Sequence, residues 1–115
     1  MSDDLGQWGE DLAASYLRNH NWTIDRRNYE TPFGECDLVI TQDDILAFVE
    51  VKTRRTKQFG PPEEAITPTK KDHLRKIAQY YLGNHETSRH CRFDVVAIQL
   101  IDGSTSIRHI EGAFT

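Results

Sequence analysis

Asp37, Glu50 and Lys52 are ionisable residues set inside apolar runs. Residues 34–40 read Gly-Glu-Cys-Asp-Leu-Val-Ile, and residues 45–52 read Ile-Leu-Ala-Phe-Val-Glu-Val-Lys. A buried carboxylate is costly unless it is paired, hydrogen-bonded or bound to a metal. Two carboxylates sharing one surface suit a hard divalent cation, Mg²⁺ or Mn²⁺, which takes oxygen ligands. The backbone carbonyl of Val51, between Glu50 and Lys52, can add a further oxygen. Lys52 can orient a water or offset charge that develops on a phosphoryl group. Hydrolysis of a phosphodiester needs these parts: a metal to polarise the phosphate, an activated water and compensation for the leaving oxygen.

The elements around these residues follow from their pattern. The two apolar runs are short and rich in Val, Ile, Leu and Phe, which predicts buried strands. Thr41-Gln42-Asp43-Asp44 is the polar turn between them. A turn centred between Asp43 and Asp44 pairs residues whose numbers sum to 87. Asp37 then lies opposite Glu50, and Glu35 opposite Lys52. Opposite side chains share a face with Cβ atoms about 5 Å apart, where like charges repel unless a cation lies between them. Glu50 and Lys52, two apart, share that face, while Val49 and Val51 face the other way into core. Glu35 is either a further ligand or, the favoured reading, a partner of Lys52 across the strands.

Before the hairpin, residues 4–19 carry a helical pattern. Leu5, Trp8, Leu12 and Tyr16, with Ala13 and Leu17 beside them, form its apolar stripe. Ser2 or Asp3 can cap its start, and Asn19-His20-Asn21 can end it. Glu10 falls at the margin of the stripe and joins the candidate ligands because the strands supply other carboxylates. Gly6 and Gly9 cost helix stability and point to close packing or room for a neighbour. Residues 22–30 predict a mixed, edge-type strand, and Pro32-Phe33-Gly34 the turn that follows.

After Lys52 a polar, basic segment leads to a break at Phe59-Gly60-Pro61-Pro62, and residues 63–66 suit a helical turn. Thr67 and Pro68 predict a cap and first position of a second helix, which ends near Leu82 with Gly83 as its C-cap. Leu74, Ile77, Ala78, Tyr81 and Leu82 form its buried stripe. Residues 92–101 predict an apolar strand, Asp102-Gly103 a hairpin turn, and residues 107–110 a last strand, with Phe114 docking the tail. Two strands separated by a helix permit a parallel crossover. The expected architecture is one α/β domain over residues 1–115, in the order αβββαββ, with a mixed five-stranded sheet flanked by helices.

The chain has 115 residues and a formal net charge of −4, enough for one core and mildly unfavourable for unassisted nucleic-acid binding. Basic residues nevertheless cluster. Arg54, Arg55, Lys57, Lys70 and Lys71 are the candidates for holding nucleic-acid phosphates, with a solvated surface as the alternative. No apolar run reaches membrane-spanning length, and the acidic start has no signal-peptide pattern. Cys36 and Cys91 read as small core residues in a reducing cytoplasm. His20, His73, His85, His90 and His109 lack metal spacing and read as surface residues. Asp94 reads as a cap or ion-pair partner.

Gly9-Glu10, Asn28, Gly34-Glu35-x-Asp37-Leu38, Phe48-Val49-Glu50-Val51-Lys52-x-Arg54, Phe59-Gly60-x-Pro62, Glu64-Ala65-Ile66, Lys70, Ala78-x-x-Tyr81-Leu82 and Arg92-Phe93-Asp94-Val95-Val96 form a wider pattern. It covers nearly the whole chain and resembles the YraN family. The Asp37…Glu50-Val51-Lys52 part resembles the PD-(D/E)xK nuclease motif, although no proline precedes Asp37, and Cys36 replaces the usual aliphatic residue. The resemblance implies a restriction-endonuclease-like fold similar to that of archaeal Holliday-junction resolvases. It also implies a Mg²⁺- or Mn²⁺-dependent site with Glu10, Asp37, Glu50 and Lys52 in it. The expected activity is hydrolysis of DNA, with branched DNA a candidate substrate, by a cytoplasmic protein that could form a homodimer. The rival readings are a nucleic-acid-binding module without turnover and a partner-dependent scaffold.

Overall fold

The computed structural model describes residues 4–55 and 66–115. The expectations placed on Ser2, Asp3, Lys57, the 59–62 break and the turn at 63–65 lie outside the described residues. Helix α1 (Asp4–Asn19) precedes strands β1 (Thr23–Thr31), β2 (Gly34–Gln42) and β3 (Ile45–Arg54). Helix α2 (Pro68–Asn84), β4 (His90–Ile101) and β5 (Ser104–Phe114) follow. The sheet order is β1-β2-β3-β4-β5. Every neighbouring pair is antiparallel except β3–β4, which is parallel and joined through α2. The expected αβββαββ order and mixed sheet are therefore present, with β1 at an edge.

Each helix covers one face of the sheet. Ala13, Ala14 and Leu17 of α1 pack with Leu38, Ile40, Ala47, Val49, Val96 and Ile98. Leu74, Ile77, Ala78 and Tyr81 of α2 pack with Cys36, Val39, Leu46 and Phe48. The buried face of α1 is rotated from the expected stripe: Gly9, Ala13, Ala14 and Leu17 face the sheet, and Trp8 is 40% exposed. Gly9 explains the rotation, because a Cβ there would run into Oγ1 of Thr53. A glycine and two alanines let the helix axis approach the strands closely. At the other end, Trp22 N bonds Leu17 O, Asn21 N bonds Arg18 O, and Asn21 has a φ of 70°. This left-handed cap stops α1 where the asparagine-rich segment predicts.

Helix α2 begins as expected, with the Thr67 side chain accepting from Lys70 N and Pro68 in the first turn. It runs two residues past Leu82, and Gly83 is an interior helical residue. Side chains replace the glycine cap: Asn84 Nδ2 donates to Tyr80 O, and His85 Nδ1 lies 3.0 Å from Tyr81 O. Leu82 is exposed rather than buried. Positive φ values at Asp102 and Gly103 give the hairpin turn its expected form. β5 is much longer than its apolar segment, because backbone pairing to β4 carries its polar ends. Phe114 does dock the tail, stacked on Phe93. Cys36 is buried as expected; Cys91 lies within β4 and is exposed, which corrects its assignment to the core.

Candidate functional site

The β2–β3 ladder has the expected register, with Leu38↔Val49, Ile40↔Ala47 and Gln42↔Ile45. It ends at Leu38↔Val49, immediately before Asp37 and Glu50. Beyond that point a side chain takes over from the backbone: Val51 N donates to Asp37 Oδ2 at 2.8 Å. Asp37 is freed for this by an irregularity in β2. Leu38 packs with α1 and Cys36 with α2, although residues two apart in a regular strand share a face. The strand therefore turns over at Asp37. Its neighbour in β1 does the same, with Asn28 at a φ of 51° between the pairs Arg27↔Leu38 and Tyr29↔Cys36.

Glu50 lies in this fork with 6% of its surface exposed. Burial first, then the charge of Asp37, pushes its carboxyl up to about 7, against the pull of Lys70 and Lys52. In its protonated form Glu50 donates a hydrogen bond to Asp37. Lys52 Nζ lies 3.6 Å from Glu50 Oε2, and Lys70 Nζ lies 3.7 Å from Glu50 Oε1. Both distances exceed a hydrogen bond, and Glu50 Oε1 is buried with no hydrogen-bond partner among the described residues.

Glu10 approaches the fork from α1. Its Oε1 is likewise buried without a partner among the described residues. Burial first, and then Asp37, raises its carboxyl above the ordinary range, while Arg27 and a hydrogen bond from Asn28 oppose the rise. Among the described residues, no three His, Cys, Asp or Glu side chains converge into a ready-made cage. What the fold brings together is the pair Asp37–Glu50, with Glu10 within electrostatic reach and Lys52 and Lys70 alongside. The two buried carboxylate oxygens without partners among the described residues, one on Glu50 in the fork and one on Glu10 beside it, are the donor chemistry a hard cation takes. Asp37, Glu50, Glu10 and the Val51 carbonyl are the residues that could hold one.

Other expected site residues are placed differently. Glu35 is exposed and lies opposite Glu30, so the expected Glu35–Lys52 pair is not formed; Lys52 turns to Glu50 on its own strand. Arg54 ends β3 and Arg55 is exposed just beyond it. Lys71 Nζ sits over the Phe114 ring at 5.5 Å and does not join Lys70. Lys70 is a member of the fork itself, a role the sequence hid because it comes from a distant helix.

A second buried carboxylate is structural. Asp94 accepts two bonds from Arg92 (2.8 and 2.9 Å), one from His109 Nε2 (2.7 Å) and one from Gly112 N (3.0 Å). Burial opposes its ionisation, but His109, Arg92 and Gly112 outweigh that and hold its carboxyl below the ordinary range. The ion-pair reading of Asp94 thus holds, and His109 is nearly buried rather than on the surface. A bulge between Phe93 and Val95 and the left-handed Gly112 make this arrangement possible. Only Gly112 hints at it in sequence.

The model of the uncharacterised protein family UPF0102, which is the YraN family, matches residues 9–98. A UPF0102 protein of Syntrophomonas wolfei is 50% identical over 117 residues, covering 99% of this chain and 100% of that protein. One from Syntrophotalea carbinolica is 43% identical, covering 96% and 90%. One from Rhodococcus opacus is 46% identical, covering 96% and 95%. No helix among the described residues is long and apolar enough to cross a membrane.

Proposed function

The chain belongs to the uncharacterised protein family UPF0102, and we propose that it is a Mg²⁺- or Mn²⁺-dependent nuclease that hydrolyses phosphodiester bonds in DNA. One observation carries the reading: buried Glu50 against half-buried Asp37 at the β2–β3 fork, flanked by Lys52, with Glu50 Oε1 and the neighbouring Glu10 Oε1 left unsatisfied among the described residues. A structural ion pair would satisfy those oxygens, as Arg92, His109 and Gly112 satisfy Asp94. The restriction-endonuclease-like resemblance points the same way.

A divalent ion held there would supply Lewis-acid polarisation of the phosphate and of an attacking water. The chain's own residues do the rest. Asp37 accepts from the Val51 N–H and so pins the Glu50–Val51 peptide beside it, which positions the Glu50-Val51-Lys52 segment. Glu50, neutral when its proton is shared with Asp37, must lose that proton for the pair to bind a cation. Lys52 supplies a positive charge on the same strand, placed to offset charge on the phosphoryl oxygens or to orient the water. Arg55, exposed beyond β3, and Arg54 are candidates for flanking phosphates.

Cleavage of a labelled DNA panel (duplex, single strand, flap, four-way junction) with Mg²⁺ or Mn²⁺ tests this, alongside Glu50→Ala and Lys52→Ala. Cleavage by the wild type and its loss in both variants is the expected result. Cleavage that survives both refutes the site. Gel shifts on the same samples decide the rival reading: DNA binding without cleavage by any form makes the protein a binding module.

A further inference from the structure

Lys70 occupies a position that the proposed nuclease site does not require for a lysine. It comes from the first turn of α2, eighteen residues beyond Lys52 in sequence, and its backbone N–H is fixed by the Thr67 cap at 3.1 Å. Its Nζ rests 3.7 Å from Glu50 Oε1 and 3.4 Å from the Glu35 carbonyl oxygen. Lys52 approaches the other oxygen of Glu50. Lys70 therefore faces the oxygen that is buried and, among the described residues, lacks a hydrogen-bond partner. A carboxylate oxygen of β3 and a carbonyl oxygen of β2 are the ligand types a hard cation takes. The contacts are long and the lysine side chain keeps 32% of its surface exposed, so the ammonium is loosely held and has a way out.

We propose that Lys70 holds the cation position in the metal-free protein and yields it to the divalent ion, so that metal and DNA bind with positive coupling through this side chain. The inference rests on the metal-site reading above. An ammonium and a divalent ion cannot share one carboxylate oxygen without strong repulsion. Metal entry therefore drives Lys70 outward, where it becomes a phosphate contact at the start of α2. That turn contains no acidic residue to repel an anion. By linkage, a phosphate that draws Lys70 away raises metal affinity by the same factor. The protein then loads metal preferentially when DNA is bound.

The test is Mn²⁺ titration followed by electron paramagnetic resonance of the free ion. The proteins are wild type, Lys70→Met, Lys70→Arg and Glu50→Gln, each with and without a phosphorothioate-protected duplex. Expected without DNA are loss of binding in Glu50→Gln and binding on the order of tenfold tighter in Lys70→Met. Lys70→Arg, which keeps the charge, stays no tighter than wild type. DNA tightens Mn²⁺ binding in wild type and does so at least threefold less in Lys70→Met. Thermal melts confirm folding, and Lys70→Gln replaces Lys70→Met if the latter is destabilised. Unchanged or weaker Mn²⁺ binding on neutralising Lys70, with Glu50→Gln still inert, overturns the Lys70 inference alone. Absence of Mn²⁺ binding by the wild type, or equal binding by Glu50→Gln, overturns the metal-site reading and this inference with it.

Discussion

Replacing Glu50 by Gln should stabilise the metal-free protein above neutral pH. The fold holds the Glu50 carboxyl up to about 7, against an ordinary value of 4.5. A folded-state value above the unfolded one means that the fold favours the protonated form. The resulting stability is fully present below about pH 4.5 and is lost as pH rises through about 7. Each tenfold difference in proton affinity is worth about 1.4 kcal/mol, so ionised Glu50 costs the apoprotein up to about 3 kcal/mol at pH 8. Gln is nearly isosteric with protonated Glu, can still donate to Asp37 and never ionises. The variant should match wild type at pH 4 and exceed it by up to about 3 kcal/mol at pH 8, on the order of 10 °C in Tm for a chain of this size. Denaturation in EDTA, followed by circular dichroism at pH 4, 5, 6, 7 and 8, measures the gap. Adding Mn²⁺ should raise the wild-type Tm and leave Glu50→Gln unmoved. A variant less stable than wild type at pH 8, or a gap that does not change with pH, would mean that the fold does not favour protonated Glu50.

Asp94→Ala should have the opposite character. It strands the Arg92 guanidinium, His109 and the Gly112 N–H, and should cost about 3–5 kcal/mol in urea unfolding at pH 7. Because the Asp94 carboxyl is held low, its contribution is present above its unfolded value and is lost as pH falls through the folded one. Gly9→Ala should destabilise by about 1–3 kcal/mol despite the better helix propensity of Ala, since the new Cβ meets Thr53. Thr53→Ala in the same chain should recover much of that loss in a double-mutant cycle. Gly83→Ala, in open space inside α2, should stabilise by about 0.5–1 kcal/mol.

Much of the fold was legible because local signals agreed with the tertiary outcome. The acidic turn at Asp43–Asp44 set the hairpin register, which put Asp37 beside Glu50. Thr67-Pro68 and Asp102-Gly103 carried their own backbone geometry. Where pattern failed, a non-local contact had decided. The apolar count on α1 favoured the face with Trp8, but the shape of Gly9 against Thr53 chose another. Gly83 resembled a cap, yet Asn84 and His85 satisfied the last carbonyls from one turn further on. Glu35 obeys no simple alternation with Asp37, because β2 turns over between Cys36 and Leu38. Lys70 and His109 acquired their partners from elements distant in sequence, which periodicity within one element does not report.

The proposed chemistry depends on the Asp37–Glu50 fork taking a divalent cation. A crystal of the wild-type protein soaked in Mn²⁺ above pH 7 and measured at a wavelength sensitive to manganese tests it directly. One or more anomalous peaks within bonding distance of the Asp37 and Glu50 carboxylates, with the Val51 carbonyl turned to the ion, are expected. A fork without an anomalous peak, its two carboxyl groups still hydrogen-bonded to each other at saturating Mn²⁺, would contradict it.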